Sequence, residues 1–91
     1  MVEYKIKFTK LALKDKQKID KSELSSRLKN LLDLIAKNPF IYPPAYEKLS
    51  GDLSIYYSRR INKNHRLVYR IDEKNKEICI IRMWTHYEKV K

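Results

Sequence analysis

Glycine and cysteine are almost missing from this chain of 91 residues, with one of each. A lone Gly51 cannot build the glycine-rich turns that cradle the phosphates of ATP or of a dinucleotide, so those cofactor chemistries are excluded. A lone Cys79 cannot form an internal disulfide or, by itself, a zinc site, so stability has to come from packing. Lying in an apolar strand-like run, Cys79 reads as a core residue and not as a nucleophile. With only three prolines, the chain is neither collagen-like nor a Gly/Pro-rich disordered segment. No apolar run approaches the roughly 18–20 residues of a membrane span, and the opening Met-Val-Glu-Tyr-Lys has no apolar signal core. A cytoplasmic protein without a membrane partner is the expectation. The two histidines, His65 and His86, and Cys79 lack metal-ligand spacing, and the carboxylates are scattered, so neither metal nor cofactor is expected.

Acid is scarce as well. Eleven acidic residues face 21 basic ones, for a net charge of +10. On so small a body this field attracts polyanions, with nucleic acid, ribosomes and acidic proteins ahead of anionic membranes. The surplus is densest over residues 53 to 71, which carry Arg59, Arg60, Lys63, Arg66 and Arg70 with no acidic residue among them. Six of the 21 basic residues are Arg, and four of those six fall in this window. Arginine offers the planar fork suited to phosphate, and the interleaved Tyr56, Tyr57 and Tyr69 offer rings on which bases of single-stranded RNA can stack. The plain alternative is a solvated strand face.

What is abundant is apolar: 43% of residues, including seven tyrosines. This predicts one folded domain spanning residues 1–91. Val2, Tyr4, Ile6 and Phe8 alternate with charged residues, as in a half-buried strand. Thr9 can cap a helix from Lys10 to about Lys18, with Leu11, Ala12 and Ile19 as its apolar stripe. Asp20 and Glu23 resemble a capping box before a second helix, whose Leu24, Leu28, Leu31, Leu32 and Ile35 recur at helical spacing. Pro39 ends it near Asn38, and Pro43-Pro44 stiffens an extended connection. Runs at Leu53 to Ile61, His65 to Ile71 and Ile78 to Trp84 predict an antiparallel meander separated by polar turns. Leu67, Tyr69 and Ile71 then share one face, covered by helices, and Arg66, Val68 and Arg70 the other. Strand, two helices and a three-stranded meander make an α+β fold.

No single residue declares a chemistry. The joint pattern does: Asn38-Pro39-Phe40 closing the second helix, Glu47 in the following loop, Ser58-Arg59-Arg60-Ile61, four further residues, then Arg66-Leu67-Val68-Tyr69, and finally His86-Tyr87. This arrangement resembles the YoeB/Txe branch of the RelE toxin superfamily. The resemblance runs without a gap from Glu47 to Tyr69. Ser50 stands where relatives often carry lysine, with Lys48 close by to substitute, and four residues follow Tyr87 where relatives often end.

The resemblance implies a compact microbial-RNase fold and the toxin of a type II toxin–antitoxin pair that cleaves mRNA in the ribosomal A site. It implies an acidic antitoxin of the YefM/Axe kind as partner, and allows a homodimer. Glu47 would be the base, Arg66 the stabiliser of the phosphorane, His86 the acid and Tyr87 the residue that positions the nucleotide. Arg59, Arg60 and Lys48, with Lys63 and Arg70 of the basic window, would contact RNA. RNA carries its own nucleophile in the 2′-hydroxyl, so a base, cations and an acid suffice without a metal. The competing reading is a non-catalytic RNA- or ribosome-binding module, for which the arginines and tyrosines are enough.

Overall fold

The computed structural model describes residues 3–49, 55–63 and 65–83. The N-terminal alternation becomes β1 (Lys5–Phe8), with Ile6 and Phe8 against the core and Lys5 and Lys7 outward. Thr9 caps α1 (Lys10–Asp20): its hydroxyl accepts the Ala12 N–H at 3.1 Å and donates to the Ile81 carbonyl at 3.1 Å. The buried stripe of α1 is Ala12, Asp15 and Ile19, at i, i+3 and i+7. Leu11, expected in that stripe, is 53% exposed, because it lies a full 100° round the helix from Ala12.

The second helix, α2 (Ser25–Lys37), buries Leu28, Leu31 and Ile35 as its spacing predicts. Its expected capping box does not form. Asp20 instead closes α1, pairing with Lys16 at 2.9 Å, and Ser22 organises the turn, accepting the Leu24 N–H at 3.1 Å while donating to the Ile19 carbonyl at 2.7 Å. Asn38 is extended (φ −155°, ψ 101°), and the helix stops before Pro39 as expected.

Four strands follow: β2 (Tyr46–Lys48), β3 (Tyr56–Arg60), β4 (Arg66–Asp72) and β5 (Glu77–Arg82). They and β1 form one sheet in the order β1-β5-β4-β3-β2. The β3-β4-β5 meander is antiparallel, as its turn signals require. Two features go beyond the expected three-stranded meander. A short β2 pairs antiparallel with β3, within what reads locally as a Pro-stiffened connection. The N-terminal strand is inserted beside the last one, parallel, with Ile6 opposite Ile78 and Phe8 opposite Ile80. The α+β class stands, with a mixed five-stranded sheet.

Leu67 and Tyr69 of β4 and Ile78 and Ile80 of β5 meet Ala12, Ile19, Leu28, Leu31 and Ile35 from the helices in one core. Burying each large apolar side chain stabilises by roughly 1.5–3 kcal/mol. The second face is less open than alternation alone suggests, since Val68 is fully buried beside Arg66 and Arg70. Cys79, read as core, is only half-buried: its register partners are Arg70 and Lys7, on the face away from Ile78 and Ile80. No described helix is long and apolar enough to cross a membrane.

One buried charge ties α1 to the end of β5. The Asp15 carboxylate accepts from Arg82 Nε at 2.8 Å and Nη2 at 3.2 Å, and from the Met83 N–H at 3.1 Å. Removing one partner from such a set strands the others in low dielectric. Asp15→Ala should therefore lower the free energy of unfolding by about 3 kcal/mol, and Asp15→Asn, which keeps an acceptor oxygen, by less than half of that. Urea denaturation followed by circular dichroism measures both, and equal losses would contradict the assignment.

Candidate active site

Strands β2, β3 and β4 place one residue each side by side in register: Glu47 opposite Ser58, and Ser58 opposite Val68. Arg60 and Arg66 are also direct cross-strand neighbours. The result is a small depression of about 280 Å³ lined by Pro44, Ala45, Tyr46, Glu47, Ser58, Arg60 and Arg66. Within it Arg66 Nη1 lies 3.9 Å from a Glu47 carboxylate oxygen and 3.5 Å from the Ser58 hydroxyl. The Glu47 side chain is 62% exposed and that of Arg66 17%. An ion pair this long and this wet contributes less than about 1 kcal/mol to stability. Like charges directly across a strand pair, as Arg60 and Arg66 are, cost stability. The grouping is thus poorly suited to holding the fold together and well suited to an anionic ligand reaching both cations and the carboxylate.

The other expected RNA contacts are dispersed. Lys48 and Arg70 line a separate hollow of about 420 Å³ with Phe40, Ile55, Tyr57, Ile71 and Glu73. Arg70 sits four residues along β4 from Arg66, about 13 Å away at strand spacing. Lys63, in the β3–β4 turn, lines a third groove of about 500 Å³ with Arg27 and Asn30 of α2, and Arg60 lies on the boundary between that groove and the depression. His86 and Tyr87 lie outside the described residues. Among the described residues no three His, Cys, Asp or Glu side chains form a group able to hold a metal ion.

Arg59 is a correction. Expected on the RNA-facing surface, it is 1% exposed, in the interior. Its Nε donates to the Tyr69 hydroxyl at 2.8 Å, Nη1 to the Pro44 carbonyl at 2.6 Å, and Nη2 to the carbonyls of Ile41 at 2.8 Å and Pro39 at 3.1 Å. The guanidinium carbon stands 4.7 Å from the centre of the Tyr46 ring, a cation–π contact. The physical reason is complementarity of donors and acceptors. Proline has no N–H, so a Pro-rich segment carries more acceptors than donors, and arginine carries only donors. The period-two pattern held the signal: Tyr57, Arg59 and Ile61 alternate onto the core face, while Ser58 and Arg60 face the other way. Around Arg59 a chain of rings runs from Phe40 through Tyr57 to Tyr69, and from Tyr42 through Tyr46 to Tyr57, with centroids 5.9 to 6.2 Å apart.

Residues 8–87 match the family described as YoeB-like toxin of bacterial type II toxin-antitoxin system. The Toxin YoeB of Synechocystis sp. is 41% identical over 88 residues, covering 93% of this chain and 99% of that one. This chain belongs to the YoeB toxin family. Solved structures agree. A YoeB/ParE toxin from Agrobacterium tumefaciens superposes with a TM-score of 0.83 at 27% identity, over 91% of this chain and 99% of that one. A YoeB dimer from Staphylococcus aureus gives 0.80 at 32% identity, over 94% and 100%. YoeB from the same organism in a heterotetrameric YoeB-YefM toxin-antitoxin complex gives 0.79 at 32%, with the same coverage. The YoeB match extends through positions 86 and 87.

Burial pushes the Tyr69 phenol above its ordinary value of 10.0, and the neighbouring Arg59 charge only partly opposes this. The fold therefore holds the neutral phenol. Its contribution to stability is complete below pH 10.0 and is lost as the pH rises through the elevated value. In an alkaline titration followed by tyrosinate absorbance, Tyr69 should ionise above the ordinary value of 10.0. Tyr69→Phe should remove that part of the alkaline loss, and an unchanged alkaline limb would refute it.

Proposed function

We propose that this YoeB-family toxin is an endoribonuclease that cuts translated mRNA on the ribosome by metal-independent acid–base attack of the RNA 2′-hydroxyl. The observation that carries the reading is the Glu47 carboxylate standing 3.9 Å from the Arg66 guanidinium at the mouth of a depression that also presents Arg60. Glu47 takes the proton of the 2′-hydroxyl. The freed oxygen attacks the adjacent phosphorus, and the bond to the 5′-oxygen breaks. Arg66, helped by Arg60, neutralises the charge that accumulates on the pentacoordinate phosphate. His86 gives its proton to the departing 5′-oxygen, and Tyr87 holds the nucleotide. The products are a 2′,3′-cyclic phosphate and a 5′-hydroxyl. Because the nucleophile comes from the substrate, no metal-bound hydroxide is needed.

Each proton-transfer group is worth on the order of 10²–10⁴-fold in rate. Glu47→Ala and His86→Ala proteins that retain the parental melting temperature should therefore cut a translated transcript roughly 10²–10⁴-fold more slowly. Primer extension maps the cuts and end-group analysis identifies the cyclic phosphate. Growth arrest that persists with intact transcripts in the Glu47→Ala strain would instead support a non-catalytic ribosome-binding module.

The net charge of +10 and the exposed arginines favour an acidic antitoxin as the neutralising partner. That the similar Staphylococcus aureus proteins form a YoeB-YefM complex and a YoeB dimer supports both an antitoxin of that kind and a homodimer for this chain. Co-expression with the neighbouring reading frame should yield a complex with a short acidic protein and relieve growth arrest. Harmless expression of the unmodified toxin alone would count against the whole reading.

A further inference from the structure

We propose that Arg59 is a positioning residue of the nuclease site, a buried guanidinium that holds the segment from Pro39 to Tyr46 so that Glu47 stands opposite Arg66. The inference rests on the proposed reading that Glu47 is the base.

Glu47 sits on a weak support. Strand β2 has three residues and, among the described residues, lies at the sheet edge and pairs on one side, and so short a strand is marginal by itself. The carboxylate is 62% exposed, so its place is set by its backbone more than by side-chain packing. The chain reaches Glu47 from α2 through Pro39, Phe40, Ile41, Tyr42, Pro43, Pro44, Ala45 and Tyr46. That stretch has three prolines, which donate no hydrogen bonds to a ladder.

Arg59 holds this stretch at four points. Its nitrogens bind the carbonyls of Pro39, Ile41 and Pro44, and its plane packs on the Tyr46 ring, one residue from Glu47. Its Nε is anchored in turn on the Tyr69 hydroxyl, in the core. Arg59 is also the register partner of Tyr46, so the clamp and the pairing of Glu47 with Ser58 are adjacent on the same two strands. Ser58 and Arg60, its neighbours in sequence, both line the depression. One buried side chain therefore connects the core to the segment that leads into Glu47, while its neighbours Ser58 and Arg60 line the depression.

A misplacement of about 1 Å can cost 10²-fold in rate. Lysine at position 59 keeps the charge but is a single-point donor that cannot span three carbonyls and a hydroxyl. Arg59→Lys should lower single-turnover cleavage on programmed ribosomes by about 100-fold. Its affinity for ribosomes carrying a message with a 2′-deoxynucleotide at the cleavage position should stay within about twofold of the parental protein, because that message binds but supplies no nucleophile. A folded Arg59→Lys protein cleaving at the parental rate would overturn the proposal. So would a loss of affinity matching the loss of rate, since Arg59 would then touch RNA.

If Arg59→Lys does not fold, Tyr69→Phe, which removes the buried hydroxyl that anchors Arg59 Nε and lies outside the depression, enters the same assays with the same expected split and the same overturning results. Should the parental protein not cleave RNA at all, the nuclease reading fails while the clamp is still read out by amide hydrogen exchange. Faster exchange at Tyr46, Glu47 and Lys48 in the folded variant, with the β4 and β5 amides unchanged, supports the clamp. Unchanged exchange at those three residues overturns it.

Discussion

A guanidinium shut away from water is costly unless nearly all its donors are met, and in this protein they are met by a loop that has acceptors to spare. Arg59 draws the carbonyls of Pro39, Ile41 and Pro44 to one point, and the Tyr69 hydroxyl fixes that point to the core. Much depends on this. The connection from α2 to the sheet gains a defined path, β2 gains a starting position, and the rings of Tyr46 and Tyr57 gain a surface to pack on. Among the described residues, carbonyl dipoles and an aromatic face offset the Arg59 charge. The consequence is an arginine that serves the fold, while its neighbour Arg60 lines the depression with Arg66.

Much of the architecture was legible because periodicity and punctuation agree with tertiary packing. The Thr9 cap, the Leu28–Leu31–Ile35 stripe, the stop before Pro39 and the β3-β4-β5 meander all follow from local rules that the rest of the chain does not contradict. The misses share a cause. Strand β2 has no alternation long enough to recognise, and it is defined by its partner β3 and by Arg59 rather than by its own residues. The parallel neighbour of β5 is a pairing across more than 60 residues, which no local pattern encodes. Asp15 in the α1 stripe could not be told from a surface residue until its partner Arg82 was in place.

The candidate site was legible in a different way. Its residues came from a joint motif and not from any local chemistry, and the fold gathers Glu47, Arg60 and Arg66 from three strands into one depression. The motif did not distinguish Arg59 from Arg60, although alternation against Tyr57 and Ile61 separates them. Lys48, Lys63 and Arg70 line other hollows than the one that gathers Glu47, Arg60 and Arg66.

The seating of β1 beside β5 has a bearing on how such a protein comes into being. Strand β1 is hydrogen-bonded to β5, and its Ile6 and Phe8 meet their partners only when Ile78 and Ile80 have been synthesised. Until then the sheet lacks an edge and the core beneath it stays unsealed, so the fold closes only once β5 is in place.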